Sequence, residues 1–420
     1  MIGMVLYDFA LGLYFGFLRV VAPLHTKARK MVRGRADTLP TLRKLRQPDK
    51  DYIWIHASSL GEFEQGRPLI ELLKEKHPSL HICLTFFSPS GYEVRKDYPL
   101  ADIVTYLPFD TSSDLPRFLD LLRPKIAIFV KYEFWLHTLD ALHRREIPTY
   151  LISAIFRPTQ IFFKKYGNTF RQRLSYYDHI FVQNAESANL LAGIGITSVS
   201  VGGDTRMDRV LHIARSSHNI PFFERIKERA KRESVRIVVV GSSWEEDESI
   251  YLPLFESIPQ LFTIIVPHEI TERHISSIRS LSSREVLLYT EYEDKDLTNL
   301  TSTTLVVDTV GMLSSLYAYA DFAYIGGGFG KGIHNTAEAA VYGIPVIFGP
   351  KYEKFREAKA LIEVGGGYTV KDSSGLESIL VQWLSEDEAL QRAGKAAGDY
   401  ISSESGATEK IYQKLLPLLP

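Results

Sequence analysis

Apolar and polar positions divide the chain into four stretches. Residues 2–22, IGMVLYDFALGLYFGFLRVVA, are apolar almost throughout, with Asp8 and Arg19 the charged exceptions. As a helix this segment would be about 31 Å long, close to the thickness of a hydrocarbon core. A carboxylate at Asp8 is costly at depth, so a tilted span and a helix lying in the interface both stay open, beside a helix buried in a protein core. From Tyr52 the pattern changes to short β-rich apolar runs alternating with helical-period stretches: 52–57 (YIWIHA), 81–87 (HICLTFF), 102–108, 125–131, 148–154 and 179–184, with 198–203 (SVSVGG) closing the series. Such runs are nearly continuous in Val, Ile, Leu and aromatics, as strands covered on both faces are. Residues 204–235 are polar, helical in period and highly charged. The strand–helix rhythm then restarts at 235–243 (VRIVVVGSS), 262–268, 285–290, 304–308, 322–327 and 345–350. The pattern predicts an α/β chain of two Rossmann-like halves with parallel, doubly wound sheets facing a cleft, divided within 205–234.

Length and composition agree with two domains. The chain has 420 residues, 45% hydrophobic and 24% charged, as a folded protein does. A net charge of −1 gives no overall attraction to nucleic acid. The first 50 residues differ: ten Lys/Arg against three Asp give +7, which leaves about −8 for the rest. The cationic run from Lys27 to Arg35 directly after the apolar segment favours membrane attachment. With no basic residues before that segment and no small-residue cleavage site after it, it does not read as a cleaved signal peptide. The positive-inside rule then places the body in the cytoplasm. The single cysteine, Cys83, sits in an apolar run and predicts packed core rather than a nucleophile.

Two motifs stand out at strand ends, where open α/β sheets hold ligands. His56-Ala57-Ser58-Ser59-Leu60-Gly61-Glu62 lies between the first strand and a helix. Glu62 in the first helical turn is favoured as a carboxylate, a reasonable general base for a sugar hydroxyl. Ser59-x-x-Glu62 is equally a capping box, so capping alone would account for it. The second motif, residues 326–338 (GGGFGKGIHNTAE), follows a strand and precedes a helix. Its glycines, including Gly327 and Gly328, with Lys331 and His334, suit an anion, whereas Asn335-x-x-Glu338 again fits a cap. Ser242 and Ser243, in GSSWEE after the first strand of the second half, form a weaker phosphate-loop signal. Glu133 in KYEFW could accept from a sugar hydroxyl or pair with Lys131. The stretch 157–166 (RPTQIFFKKY), with Arg157, Lys164 and Lys165, suits a lipid phosphate, or is simply an amphipathic helix. HEITERH (268–274) lacks zincin spacing, so no metal is expected.

Taken in order, WIHASSLGE (54–62), KYEFW (131–135), GDTRMDRV (203–210), GSSWEEDE (241–248), DTVGML (308–313) and the block 326–350 resemble the 3-deoxy-D-manno-octulosonic acid (Kdo) transferases over essentially the whole chain. The resemblance implies a GT-B fold: an anchor helix over 1–24, an acceptor domain over 25–205, a linker over 206–234 and a CMP-sugar domain over 235–420, whose last helix packs back on the first domain. It implies transfer of Kdo from CMP-Kdo to a lipid A precursor at the cytoplasmic leaflet of the inner membrane, with no cofactor. Carried over residue by residue, Glu62 is the base and Glu133 an acceptor-site or supporting acid. Ser59, Gly61, Arg157, Lys164 and Lys165 fall to the acceptor. The donor falls to Ser242, Ser243, His268, Gly327, Gly328, Lys331, His334, Asn335 and Glu338, the last on the ribose hydroxyls. The chain departs from the family pattern at Lys131 (Glu in the family), at Leu136-His137 (Pro-Asn), at Met312 (Glu), at Ile333 (Gly) and at Pro267-His268-Glu269-Ile270. In that last block the family's Pro-Arg-His-Pro arginine is lost, leaving His268 or Lys331 to compensate. The rivals are another GT-B enzyme that uses or epimerises a UDP-sugar, and a non-catalytic membrane-bound sugar-nucleotide binder.

Overall fold

From Tyr52 onward each apolar run of the sequence becomes a strand, and among the described residues every strand pairing is parallel. The computed structural model describes residues 2–216, 219–295 and 299–419. The chain divides into two units, Met1–Asp208 with Ser405–Pro420, and Arg209–Glu404.

In the first unit β1 (Tyr52–Ala57), β2 (His81–Phe86), β3 (Ile103–Tyr106), β4 (Pro124–Val130), β5 (Thr149–Ala154), β6 (His179–Val182) and β7 (Val199–Val201) form one sheet in the order β3-β2-β1-β4-β5-β6-β7. Alternate residues of β1 feed opposite cores, Ile53 and Ile55 into one and Tyr52 and Trp54 into the other. This is why the run carries no polar face. The helix Ala407–Leu415 completes this unit. Its Ile411 and Leu415 are fully buried beside Ile70 and Leu73, and the Tyr412 hydroxyl meets His77 Nε2 at 3.0 Å.

The second unit holds β8 (Arg236–Ser243), β9 (Leu261–Pro267), β10 (Glu285–Leu288), β11 (Thr303–Val306), β12 (Phe322–Ile325), β13 (Val346–Phe348) and β14 (Gly367–Thr369), in the order β10-β11-β9-β8-β12-β13-β14. The pattern predicts all of these but β14, a three-residue strand behind two glycines that carries too few apolar positions to register. Residues 206–234, expected as a linker, include two helices, Thr205–Ser216 and Pro221–Glu233, with 217–218 outside the described residues. Phe222, Phe223, Ile226 and Ala230 of the second helix are buried.

The N-terminal segment is a helix, α1 (Ile2–Val21), followed by α2 (Thr26–Ala36). α1 touches the first unit along its whole length. Gly3 abuts Thr169, the Tyr7 hydroxyl donates to Asp110 at 2.5 Å, and the rings of Phe15 and Phe109 lie 4.0 Å apart. Its other face is an open apolar stripe: Val5, Leu6, Phe9, Leu13, Phe17 and Val20 are each more than 60% exposed. Residues 3–21 are long and apolar enough to cross a membrane. Asp8, costly in lipid, instead reaches His137. Lys27, Arg29, Lys30 and Arg33 are exposed, but Arg35 is not available to a lipid surface. It is buried against Phe87, Tyr106 and Phe109 and donates to the carbonyls of Met31 and Phe87. Burial pushes its guanidinium down to about 10.

Candidate active site

The order of the first sheet reverses between β1 and β4, and the segments leaving these strands and β2 meet at their carboxyl ends. Ser88, after β2, donates its amide to the Ser58 carbonyl at 2.7 Å, and the rings of Phe87 and Trp135 stack at 5.0 Å. Strand ends alone bring together the motifs that lie 70 residues apart in the sequence.

Ser59 is the N-cap of the helix Leu60–Lys76, but its hydroxyl caps no amide. It donates to the Glu62 carboxylate, so the expected capping box does not form and Glu62 is fixed by its neighbour. Glu62 is half-buried and Gly61 exposed. A Cβ at Gly61 would meet only Ser59 Oγ, at 3.8 Å, so nothing within the chain requires glycine there.

Glu133 does not reach the surface. It is 1% exposed and lies 3.2 Å from His56 Nε2, which is itself fully buried. The Trp135 indole donates to Glu133 Oε2 at 2.5 Å and the Tyr177 hydroxyl to the Glu133 carbonyl. His56 Nδ1 meets Thr85 Oγ1 at 2.8 Å, and that oxygen also accepts from the Trp54 indole at 2.8 Å. Glu133 is thus buried beneath the motif, with His56, Trp135 and Tyr177 as its neighbours. Sequence reasoning missed His56 as its partner, although a histidine inside a fully apolar strand was the available signal. Lys131, with φ of 74°, and Arg157 both lie over the Tyr132 ring. The stretch 157–166 is a turn with a short 3-10 helix, Ile161–Phe163, and not an amphipathic α-helix. Its Phe162 fills the core, while Lys165 and Tyr166 are exposed and Lys164 half-buried.

In the second unit the reversal lies between β8 and β12. Ser242 follows the bend at this edge with φ of 52° and is half-buried. Ser243, expected on the donor, is fully buried, and its hydroxyl is committed to Glu248 and Tyr251, each at 2.7 Å. It is a core residue. The glycine loop also differs from expectation. Asp247 is buried and accepts from the Gly327 amide at 2.7 Å and from the Phe329 amide, so these donors hold the protein's own carboxylate. Burial raises the Asp247 carboxyl against those bonds. Gly328 is needed because a Cβ there would come within 2.5 Å of Gly349. Gly327 therefore gives its amide to the protein's own carboxylate, and Gly328 is held by its close packing against Gly349.

Side chains around the loop remain available. Trp244 stacks on His268 at 4.5 Å, and His268 lies 4.4 Å from His334. The Trp244 indole donates to His334 Nε2 at 3.0 Å, and Lys331 sits 5.6 Å over the Trp244 ring. Burial, then the neighbouring His268, lowers the His334 imidazole below the usual histidine range, which suits its role as acceptor. Asn335 donates to Glu338 at 2.8 Å and accepts from the Ala337 amide at 3.1 Å, so it orients the carboxyl as well as the turn. Burial raises Glu338, against Asn335 and the charge of Arg209. His274 of HEITERH meets Glu248 at 2.7 Å inside the unit. Among the described residues no group of three His, Cys, Asp or Glu is placed to hold a metal ion.

Comparison with known proteins agrees with the motifs. The family model of 3-deoxy-D-manno-octulosonic-acid transferases matches residues 30–209. The chain is 25% identical over 384 residues to the 3-deoxy-D-manno-octulosonic acid transferase of Haemophilus influenzae, covering 89% of this chain and 88% of that protein. It is 28% identical to that of Aquifex aeolicus, over 81% of this chain and 88% of the relative. Among solved structures, UDP-GlcNAc 2-epimerase from Neisseria meningitidis superposes with a TM-score of 0.56 at 15% identity, covering 87% of this chain and all of the epimerase. MurG of Acinetobacter baumannii gives 0.56 at 12% identity, over 88% of this chain and 99% of MurG. These structures share the fold alone. With the motifs in place on two parallel seven-stranded sheets of GT-B type, the chain is similar to the Kdo transferases, by the family model over residues 30–209 and by relatives over most of its length.

Proposed function

We propose that the chain transfers Kdo from CMP-Kdo to a lipid A precursor at the cytoplasmic face of the inner membrane, with Glu62 as general base. The observation that carries this reading is the Ser59–Gly61–Glu62 turn. There a carboxylate is oriented by its neighbour's hydroxyl beside a glycine that has no packing duty. Glu62 takes the proton of a glucosamine hydroxyl as its oxygen bonds to the anomeric carbon of Kdo, and the bond from that carbon to the phosphate oxygen breaks with inversion. CMP leaves with the electron pair through an oxocarbenium-like transition state. In the donor unit His268, Lys331 and His334 take the anion. Ser242, Asn335 and Glu338 take the rest of the nucleotide, Glu338 on the ribose hydroxyls. Fixed donors around a leaving anion supply the electrostatic stabilisation a metal often gives. Lys131, Arg157, Lys164 and Lys165 supply positive charge to a phosphorylated acceptor.

Glu62→Gln is expected to abolish transfer of radiolabelled Kdo to a tetra-acylated lipid A precursor. The rise in melting temperature on adding CMP-Kdo is expected to persist. An active Glu62→Gln enzyme would remove Glu62 as base. Stabilisation by a UDP-sugar instead of CMP-Kdo would favour another GT-B activity.

α1 is proposed to lie in the membrane interface and not to cross it. A helix held to the protein from Gly3 to Ala22, with one open apolar stripe and exposed cations on α2, fits an anionic leaflet.

A further inference from the structure

The helix Leu136–His143 begins one residue after Trp135, and its own N-cap side chain satisfies none of its first amides. Those amides are bonded from elsewhere. Asp110, 1% exposed, accepts from the Thr138 amide at 2.8 Å, the Thr138 hydroxyl at 2.6 Å and the His137 amide at 3.1 Å. The third amide, Leu136, donates to the Tyr7 hydroxyl at 3.3 Å, and Tyr7 donates in turn to Asp110 at 2.5 Å. The cap is thus built jointly by a buried aspartate and a tyrosine of α1. Unsatisfied first-turn amides are costly when buried, so removing either partner frees the start of the helix.

That start fixes the end of a short and strained loop. Residues 131–135 run from β4 through Lys131 in the left-handed region to Trp135, whose indole holds Glu133. A second contact joins α1 to the same loop, because Tyr14 stacks with Phe87 at 6.4 Å and Phe87 stacks with Trp135. Asp8 adds a bond to the side chain of His137. The helix with the open apolar stripe is therefore tied at three points around the end of the loop that carries Glu133: to Leu136, to His137 and, through Phe87, to Trp135.

We propose that Tyr7, acting with Asp110, is a positioning residue for transfer: it holds the 131–135 loop in place, so that seating of α1 on a lipid surface is sensed at the acceptor motif. This rests on Glu133, buried beneath the HASSLGE turn, acting as its support. It gives a structural reason for the polar ring and the carboxylate at Tyr7 and Asp8 in a mostly apolar helix.

The test uses the full chain bound to vesicles containing anionic lipid, with CMP-Kdo and a tetra-acylated precursor. Tyr7→Phe keeps the ring and loses one hydroxyl. We expect kcat to fall about tenfold or more, with unchanged vesicle binding and unchanged KM for CMP-Kdo. An unaltered kcat, or a loss confined to vesicle binding, overturns the proposal. Combined with Glu133→Gln, Tyr7→Phe should add little further loss, because both act through one loop. Multiplicative losses would show independent action and overturn it. Should Tyr7→Phe fold poorly, Asp110→Asn reads the same coupling through the same cycle. A Glu133→Gln enzyme of full activity would overturn the supporting role of Glu133 itself, a result separate from the Tyr7 arm.

Discussion

Glu133 has one carboxylate oxygen on the Trp135 indole, while Oε1 has no hydrogen-bond partner. So exposed a dependence on His56 makes the pair sensitive to truncation. His56→Ala is expected to cost about 3 kcal/mol in denaturant unfolding, since a buried acid then loses its neighbour. Gly61 asks the opposite question. Because its Cβ would meet almost nothing, Gly61→Ala should leave stability unchanged or raise it by about 0.5 kcal/mol. If the acceptor approaches there, kcat/KM for the acceptor should nevertheless fall about tenfold or more. A fully active Gly61→Ala enzyme would show that the acceptor passes elsewhere.

At the scale of elements, the helix Glu272–Leu281 is tied to the helix Glu245–Ser257 by His274 and Glu248, both buried. The hydrogen bond to Glu248 raises the imidazole above its usual value of 6.5. Folding therefore strengthens proton binding. The stabilisation is complete below about pH 6.5 and disappears as pH rises through the raised value. The difference in melting temperature between the native protein and His274→Gln should accordingly shrink from acidic to alkaline pH, and a constant difference would contradict the ion pair. This element also marks the limit of what the sequence makes legible. Strands covered on both faces announce themselves, and β1 and β8 were plain for that reason. HEITERH was recognisable only as lacking metal spacing, because its partner Glu248 lies on another helix. Ser243 and the glycine loop misled in the same way. Small residues at a strand end suit a ligand, yet which amides the chain needs for Asp247 depends on tertiary contacts that no local pattern records. The Ser59–Glu62 contact lies within a single helical turn, so local spacing alone brings those two residues together.

For the whole molecule, the charge asymmetry and α1 make one surface distinct from the rest. Phe9 and Phe17 are 65% and 64% exposed, so Phe9→Asp with Phe17→Asp should barely alter the melting temperature. The same change should abolish sedimentation with anionic vesicles, and binding by the native chain should weaken with salt. Retained binding by the double variant would place the lipid contact elsewhere.

The helix Ala407–Leu415 bears on how the protein is made. It leaves the ribosome after every residue of the second unit, yet Ile411 and Leu415 belong to the core of the first. Asp208, at the end of that unit's first segment, also waits for it, accepting from the Gly406 and Thr408 amides. The half that is translated first is therefore the half finished last. Nascent chains halted before Ala407 should carry a protease-sensitive first unit, while residues up to Glu404 already contain the whole of the second.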